Sequence, residues 1–88
     1  MAENVILPKT GLNTDDIEFL EWLCDEGAPV AAGDLVLRME TNKVEVEVEA
    51  EASGFLHRTV EPPATLPVGA KVGVIAETRE EYDRLTAD

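Results

Sequence analysis

Basic residues are scarce in this chain: seven lysines and arginines stand against nineteen aspartates and glutamates, for a formal net charge of −12. That balance argues against nucleic acid as a partner, because such binding neutralises phosphates with Lys and Arg. It disfavours anionic membrane surfaces for the same reason. A partner with a basic surface is the complement, the attraction acting on encounter rate more than on affinity; the same charge also serves solubility alone. Cysteine occurs once, as Cys24, which excludes an intrachain disulfide and fits a reducing compartment. Set in an apolar run, it reads as an inert buried thiol. Histidine also occurs once, as His57, with no Ser or Cys at a spacing that makes a nucleophile and its base. Two residues of Cys or His type fall short of the ~4 ligands of a structural zinc site. There is no Gly-rich phosphate loop and no D-x-[DN]-x-[DN]-G calcium loop. No apolar run approaches the ~18 residues of a membrane span, and Met1-Ala2-Glu3-Asn4 offers neither the basic nor the apolar region of a secretory signal. By itself the chain is expected to catalyse nothing.

What is present is alternation. Val44-Glu45-Val46-Glu47-Val48-Glu49-Ala50 switches between apolar and charged without a break, the period of a half-buried strand. Val44, Val46, Val48 and Ala50 then share one face, and Glu45, Glu47, Glu49 and Glu51 the other. Leu35 to Glu40 precedes this run, and Thr41-Asn42-Lys43 falls where one strand reverses into the next, so the two runs read as a central β-hairpin. Further short strands are expected at Val5–Leu7, at Ile17–Cys24 with Leu20 and Trp22 on one face, around Val30, at Phe55–Val60 and at Val72–Ala76. Turn residues separate them: Gly11, Asn13, Asp15 and Asp16 in a surface loop, then Gly27-Ala28-Pro29, Gly33-Asp34, Ser53-Gly54 and Gly69. Glu61-Pro62-Pro63-Ala64-Thr65 is excluded from a central strand, since neither proline donates to a ladder. Thr78-Arg79-Glu80-Glu81 has the spacing of a capping box, but a helix this short is marginal in water. Residues 79–88 are therefore read as a tail or the start of a linker, after a domain spanning 1–78.

Laid over itself 36 positions on, the chain repeats. Phe19 meets Phe55, Leu20 meets Leu56, Ala28 meets Ala64, Gly33 meets Gly69 and Val36 meets Val72; Val30 meets Leu66 and Met39 meets Ile75. Two similar half-sheets related by an approximate two-fold axis would explain this, neither burying its apolar face alone. The fold class is all-β, with short strands and frequent turns.

Lys43 is the only lysine between positions 10 and 70, and its surroundings are distinctive. Glu40-Thr41-Asn42-Lys43-Val44 resembles the E-T-D-K-[AV] motif of lipoyl domains, carried by acyltransferase components of 2-oxo acid dehydrogenase complexes. Leu7-Pro8-Lys9-Thr10-Gly11-Leu12 resembles that family's opening P-x-x-G-L segment. Glu21-Trp22-Leu23 with Gly27 and Val30 resembles its E-W-L…G-x-x-V segment. Glu49 to Gly54, Pro67-Val68-Gly69 and Val74 to Glu77 resemble the strand and turn after the modified lysine and the closing strand. Asn42 departs from the usual aspartate and removes a charge beside the lysine.

The resemblance implies a flattened barrel or sandwich of two four-stranded antiparallel sheets with pseudo-two-fold symmetry (a barrel-sandwich hybrid). Lys43 would stand on an exposed turn and carry lipoate through an amide, with Glu40, Thr41, Asn42 and Val44 recognised around it. It also implies partners: a thiamine-diphosphate 2-oxo acid decarboxylase, the acyltransferase core, dihydrolipoyl dehydrogenase and a lipoate-attaching enzyme. The loop residues Gly11, Leu12, Asn13, Thr14, Asp15 and Asp16 are expected near the tip, where they would help the decarboxylase choose its carrier. The isolated domain is expected to be a monomer, in the bacterial cytoplasm or, equally in keeping with the sequence, the mitochondrial matrix. A biotinyl domain shares the fold but sets its lysine between methionines, where this chain has Asn42 and Val44. An unmodified scaffold that kept the fold is the remaining alternative.

Overall fold

A computed structural model describes residues 2–8, 16–41 and 44–87. Its strands are short because turn residues interrupt every apolar run: β1 (Glu3–Ile6), β2 (Ile17–Trp22), β3 (Pro29–Val30), β4 (Leu35–Thr41), β5 (Val44–Glu49), β6 (Gly54–Arg58), β7 (Ala64–Leu66) and β8 (Lys71–Ala76). One sheet has the order β5-β4-β2-β7 and the other β1-β8-β6-β3, every pairing antiparallel. The two stay separate, so the architecture is a sandwich and does not close into a barrel. The hairpin of β4 and β5 is not central, as its pattern suggests, but lies at one side of its sheet with β5 at the edge. Edge placement suits β5, whose outer face is a row of glutamates. β7, directly after two prolines, is the opposite edge.

The pseudo-two-fold is visible in the strand orders. Replacing β5, β4, β2 and β7 by β1, β8, β6 and β3 in turn converts one sheet into the other. In the first sheet, Phe19, Met39 and Val46 lie abreast on the inner face, as do Trp22, Leu37 and Val48. Opposite them pack Leu56, Ile75, Val5 and Val72, all within one buried cluster.

One expectation about β2 is corrected. Its inward residues are Ile17, Phe19 and Trp22, not Leu20 with Trp22, because the register of β2 against β4 slips between Phe19 and Glu21. A bulge that places one extra residue against the partner reverses the in-out parity beyond it. Leu20 is that residue, half-buried, while Phe19 and Trp22 meet edge-to-face at 5.1 Å.

The same bulge corrects the repeat. Met39 opposes Phe19, and its counterpart Ile75 opposes Leu56, not Phe55. Before the bulge, β2 is thus one position out of step with the simple repeat. Beyond it the repeat holds: Glu21 opposes Arg38 as His57 opposes Val74. Gly73 sits under Trp22, where a Cβ would lie 2.9 Å from the indole ring and from the His57 carbonyl oxygen. The indole N–H donates to the Val60 carbonyl at 2.9 Å.

Residues after β8 fold, where the sequence favours an open linker. Helix α1 runs from Arg79 to Thr86. Thr78 Oγ1 accepts from the Glu81 N–H at 3.1 Å, and Glu81 Oε1 reaches back past the cap to the Glu77 N–H at 2.7 Å. Caps alone would leave so short a helix marginal; docking supplies the rest. The Tyr82 hydroxyl donates to Glu26 Oε2 at 2.7 Å, and the same carboxylate meets His57 Nδ1 at 2.9 Å and the Arg58 N–H at 2.7 Å. The turn of β-sheet chain beneath is closed by Gly27 at φ +79°, and Tyr82 lies against it where a Cβ would stand. Arg79 stacks over Phe55 at 5.8 Å and over Tyr82 at 5.3 Å.

Burial, the largest influence on Glu26, raises its pKa, but hydrogen bonds from His57, the Arg58 backbone and Tyr82 together bring it below its ordinary value of 4.5. Tyr82 is pushed above its ordinary value of 10.0, chiefly by its hydrogen bond to Glu26. A depressed carboxylate stabilises the fold above its ordinary pKa and loses that contribution as pH falls through the folded value; a raised phenol does so below its ordinary pKa and loses it as pH rises through the folded value. Docking of α1 is therefore expected to be fully present from about pH 5 to about pH 9. As pH falls through the depressed folded value of Glu26, amide exchange in α1 should approach that of the Tyr82→Phe variant; equal protection in both proteins at pH 7 would contradict docking through this hydrogen bond. For the core, Phe19→Ala is expected to cost about 3–5 kcal/mol in chemical denaturation. Phe55→Ala, at a half-buried position, should cost about 1–2 kcal/mol. Equal losses would restore the simple repeat.

Candidate functional site

The site is built from the end of the hairpin. β4 and β5 stay paired through Glu40↔Glu45 and Thr41↔Val44, which leaves a connection of two residues, the length that favours a tight hairpin turn. Those two residues are Asn42 and Lys43, and both lie outside the described residues. Thr41 is buried, 5 % exposed, while its partner Val44 is the most exposed large apolar residue described, at 58 %. Of the last described pair, Thr41 is therefore anchored in the sandwich and Val44 stands in solvent.

Of the other residues expected at the site, Gly11, Leu12, Asn13, Thr14 and Asp15 lie outside the described residues. Asp16 is exposed and directly precedes β2, whose Glu18 opposes Glu40. The register thus carries Asp16 to the end of the sheet where Thr41 and Val44 stand. Glu40 is half-buried on β4.

Sequence reading missed one feature of this end. Glu18, Glu40 and Glu45 lie directly abreast on β2, β4 and β5, three carboxylates in one row behind the lysine connection. The next row is Glu21, Arg38 and Glu47, and its arginine pairs with Glu21 and reaches Glu45 Oε1 at 3.9 Å. Like charges directly opposite on neighbouring strands are unfavourable, so the row presents a negative face rather than stabilising the sheet. The signal was present in the Glu spacing of each strand, but only register brings the three together.

The remaining chemical candidates resolve into structure. His57 is engaged with Glu26, as described. Cys24 is half-buried rather than buried, because it lies past the end of β2; its thiol donates to the Leu35 carbonyl at 3.4 Å. Its pKa is raised, first by burial and then by Asp34 and Asp25, which disfavours the thiolate. Among the described residues no three side chains of His, Cys, Asp or Glu gather as metal ligands, and no helix is long and apolar enough to cross a membrane.

The sequence pattern of the biotin/lipoyl family, described as "Biotin-requiring enzyme", matches residues 3–75. The dihydrolipoyllysine-residue acetyltransferase component of the acetoin cleaving system of Pseudomonas putida is 42 % identical over 82 residues, 92 % of this chain and 22 % of that protein. The dihydrolipoyllysine-residue succinyltransferase component of the 2-oxoglutarate dehydrogenase complex of Rickettsia felis is 32 % identical over 88 % of the chain and 20 % of its own length. The corresponding acetyltransferase component of the pyruvate dehydrogenase complex of Rhizobium meliloti is 31 % identical over 92 % of the chain and 19 % of its own length. The chain thus spans about a fifth of the length of these relatives.

The carboxylate row makes a prediction of its own. Glu18→Gln should raise stability by about 0.2–1 kcal/mol at low ionic strength. High salt should erase the gain, since exposed charges are screened. A loss of stability, or a gain indifferent to salt, would show that the row is not repulsive.

Proposed function

Because this chain belongs to the biotin- and lipoyl-attachment family, we propose that it is a lipoyl carrier domain in which Lys43 takes lipoate through an amide to its side-chain nitrogen. The observation that carries this reading is the strand register: pairing persists to Thr41↔Val44, so the lysine of Glu40-Thr41-Asn42-Lys43-Val44 falls in a two-residue connection at the end of a sheet. The names of the similar proteins, each a dihydrolipoyllysine-residue acyltransferase component, favour lipoate over biotin, as does the lack of methionine on either side of Lys43.

The residues at hand fit such a group. An exposed lysine has a pKa near ~10.4 and is protonated at neutral pH, so an attaching enzyme must take in the bend and remove its proton. Exposed Val44 offers that enzyme an apolar handle, and buried Thr41 holds the bend's root in place. The lipoyl dithiolane, when bound, supplies acyl and electron carriage; the chain supplies presentation and recognition. As a carrier the domain performs no catalysis itself. It serves a dihydrolipoyl acyltransferase, passing between a thiamine-diphosphate decarboxylase, the acyltransferase core and dihydrolipoyl dehydrogenase. The carrier proper spans residues 1–78, with α1 docked on it. Glu40 and the segment from Gly11 to Asp16 form the surface that the decarboxylase reads.

Intact-mass measurement after expression with lipoic acid and a lipoate-attaching enzyme tests attachment. A lipoyl-sized increment lost in Lys43→Ala is expected. A biotin-sized increment would reassign the chain to carboxylase chemistry, and no increment would make it an unmodified scaffold. Replacing residues 10–16 by a neutral loop should slow reductive acylation of the lipoylated domain while its melting temperature holds. An unchanged rate would remove that segment from the recognition surface.

A further inference from the structure

The two sheets leave a seam open along one side of the sandwich. There β5, the edge of one sheet, and β1, the edge of the other, lie across an open groove of about 370 Å³. Its floor is apolar, with Ile6, Val46 and Val48, and its rim is acidic, with Glu47, Glu49 and Glu51. Ile6 is 41 % exposed, unusual for an isoleucine on a strand. Among the described residues, β5 pairs with β4 alone, so one row of its backbone N–H and C=O groups is left unused along this groove.

An unpaired edge is a template for another strand, and proteins protect such edges with charge. Here the protecting charge has one sign. Among the described residues the only arginine facing this row, Arg38, is taken by Glu21 and Glu45, while Glu47, Glu49 and Glu51 have no ion pair. A second copy of this chain would bring glutamates against glutamates, in a protein already at −12. Self-pairing is thereby blocked, and a strand of opposite charge is matched.

We propose that the β1–β5 seam docks an extended segment of a partner protein in which lysines or arginines alternate with apolar residues, added to β5 as a further strand. The period-2 alternation of such a segment would turn its apolar side chains onto Ile6, Val46 and Val48 and its cations toward Glu47 and Glu49, with backbone hydrogen bonds to β5 giving affinity. The surface is distinct from the lysine connection, and the inference holds whatever Lys43 carries.

A synthetic heptapeptide alternating valine with lysine is the probe, titrated into the isotopically labelled protein and followed by NMR. Saturable shifts are expected along residues 44–51 and 4–6, with slowed amide exchange in β5, and binding should weaken at high salt. Glu47→Gln combined with Glu49→Gln, which sets no cation opposite Arg38, should bind several-fold more weakly at a melting temperature close to that of the unaltered protein. Ile6→Gln, which keeps the rim charge, should also weaken binding, separating a groove from general attraction between opposite charges. Shifts scattered over the acidic surface, or an affinity in either variant equal to that of the unaltered protein, would overturn the proposal. So would concentration-dependent self-association through β5, which would give the seam to a second copy.

Discussion

The structure depends on two four-stranded sheets burying each other's inner faces. Neither face is large: Phe19, Met39, Leu37 and Trp22 from one sheet and Leu56, Ile75, Val72 and Val5 from the other make most of it. A sheet of this size exposes its apolar face to water unless a second one covers it, so each half of the repeat requires the other. Polar outer faces follow on the edge strands, where alternate residues face solvent. The acidic rows of β2, β4 and β5 lie on one side of the sandwich and contribute part of the chain's net charge of −12.

From that interlock the site follows by register. β4 is held on both sides, by β2 and by β5, and its inward Leu37 and Met39 are fully buried. A slip of one residue would turn both to solvent. The last described pair of the hairpin, Thr41↔Val44, is thus fixed.

Much of this was legible in the residues. The Val/Glu alternation gave both faces of β5, the two prolines kept residues 61–65 out of a central strand though the short edge strand β7 was not expected, and the repeat implied the two-fold exchange of strands. The motif around Lys43 supports attachment by resemblance alone, since that residue lies outside the described ones. Three features were hidden for physical reasons. A bulge leaves no mark in composition, so Phe19 was matched with Phe55 instead of Leu56, its equivalent by pairing. The carboxylates of Glu18, Glu40 and Glu45 become neighbours only across strands. Helix α1 looked too short to persist because its stability lies in a tertiary hydrogen bond from Tyr82 to Glu26, far apart in sequence.

If register fixes where the lysine is presented, the amine must stand at position 43 and not one residue earlier. The direct measurement is attachment rate in a double variant, Asn42→Lys with Lys43→Asn, which keeps composition, charge and bend length. The account predicts at least a tenfold slower transfer of lipoate than to the unaltered protein, with the same melting temperature. Equal rates would show that the attaching enzyme reads any lysine in the bend, and that the frame does not set the position.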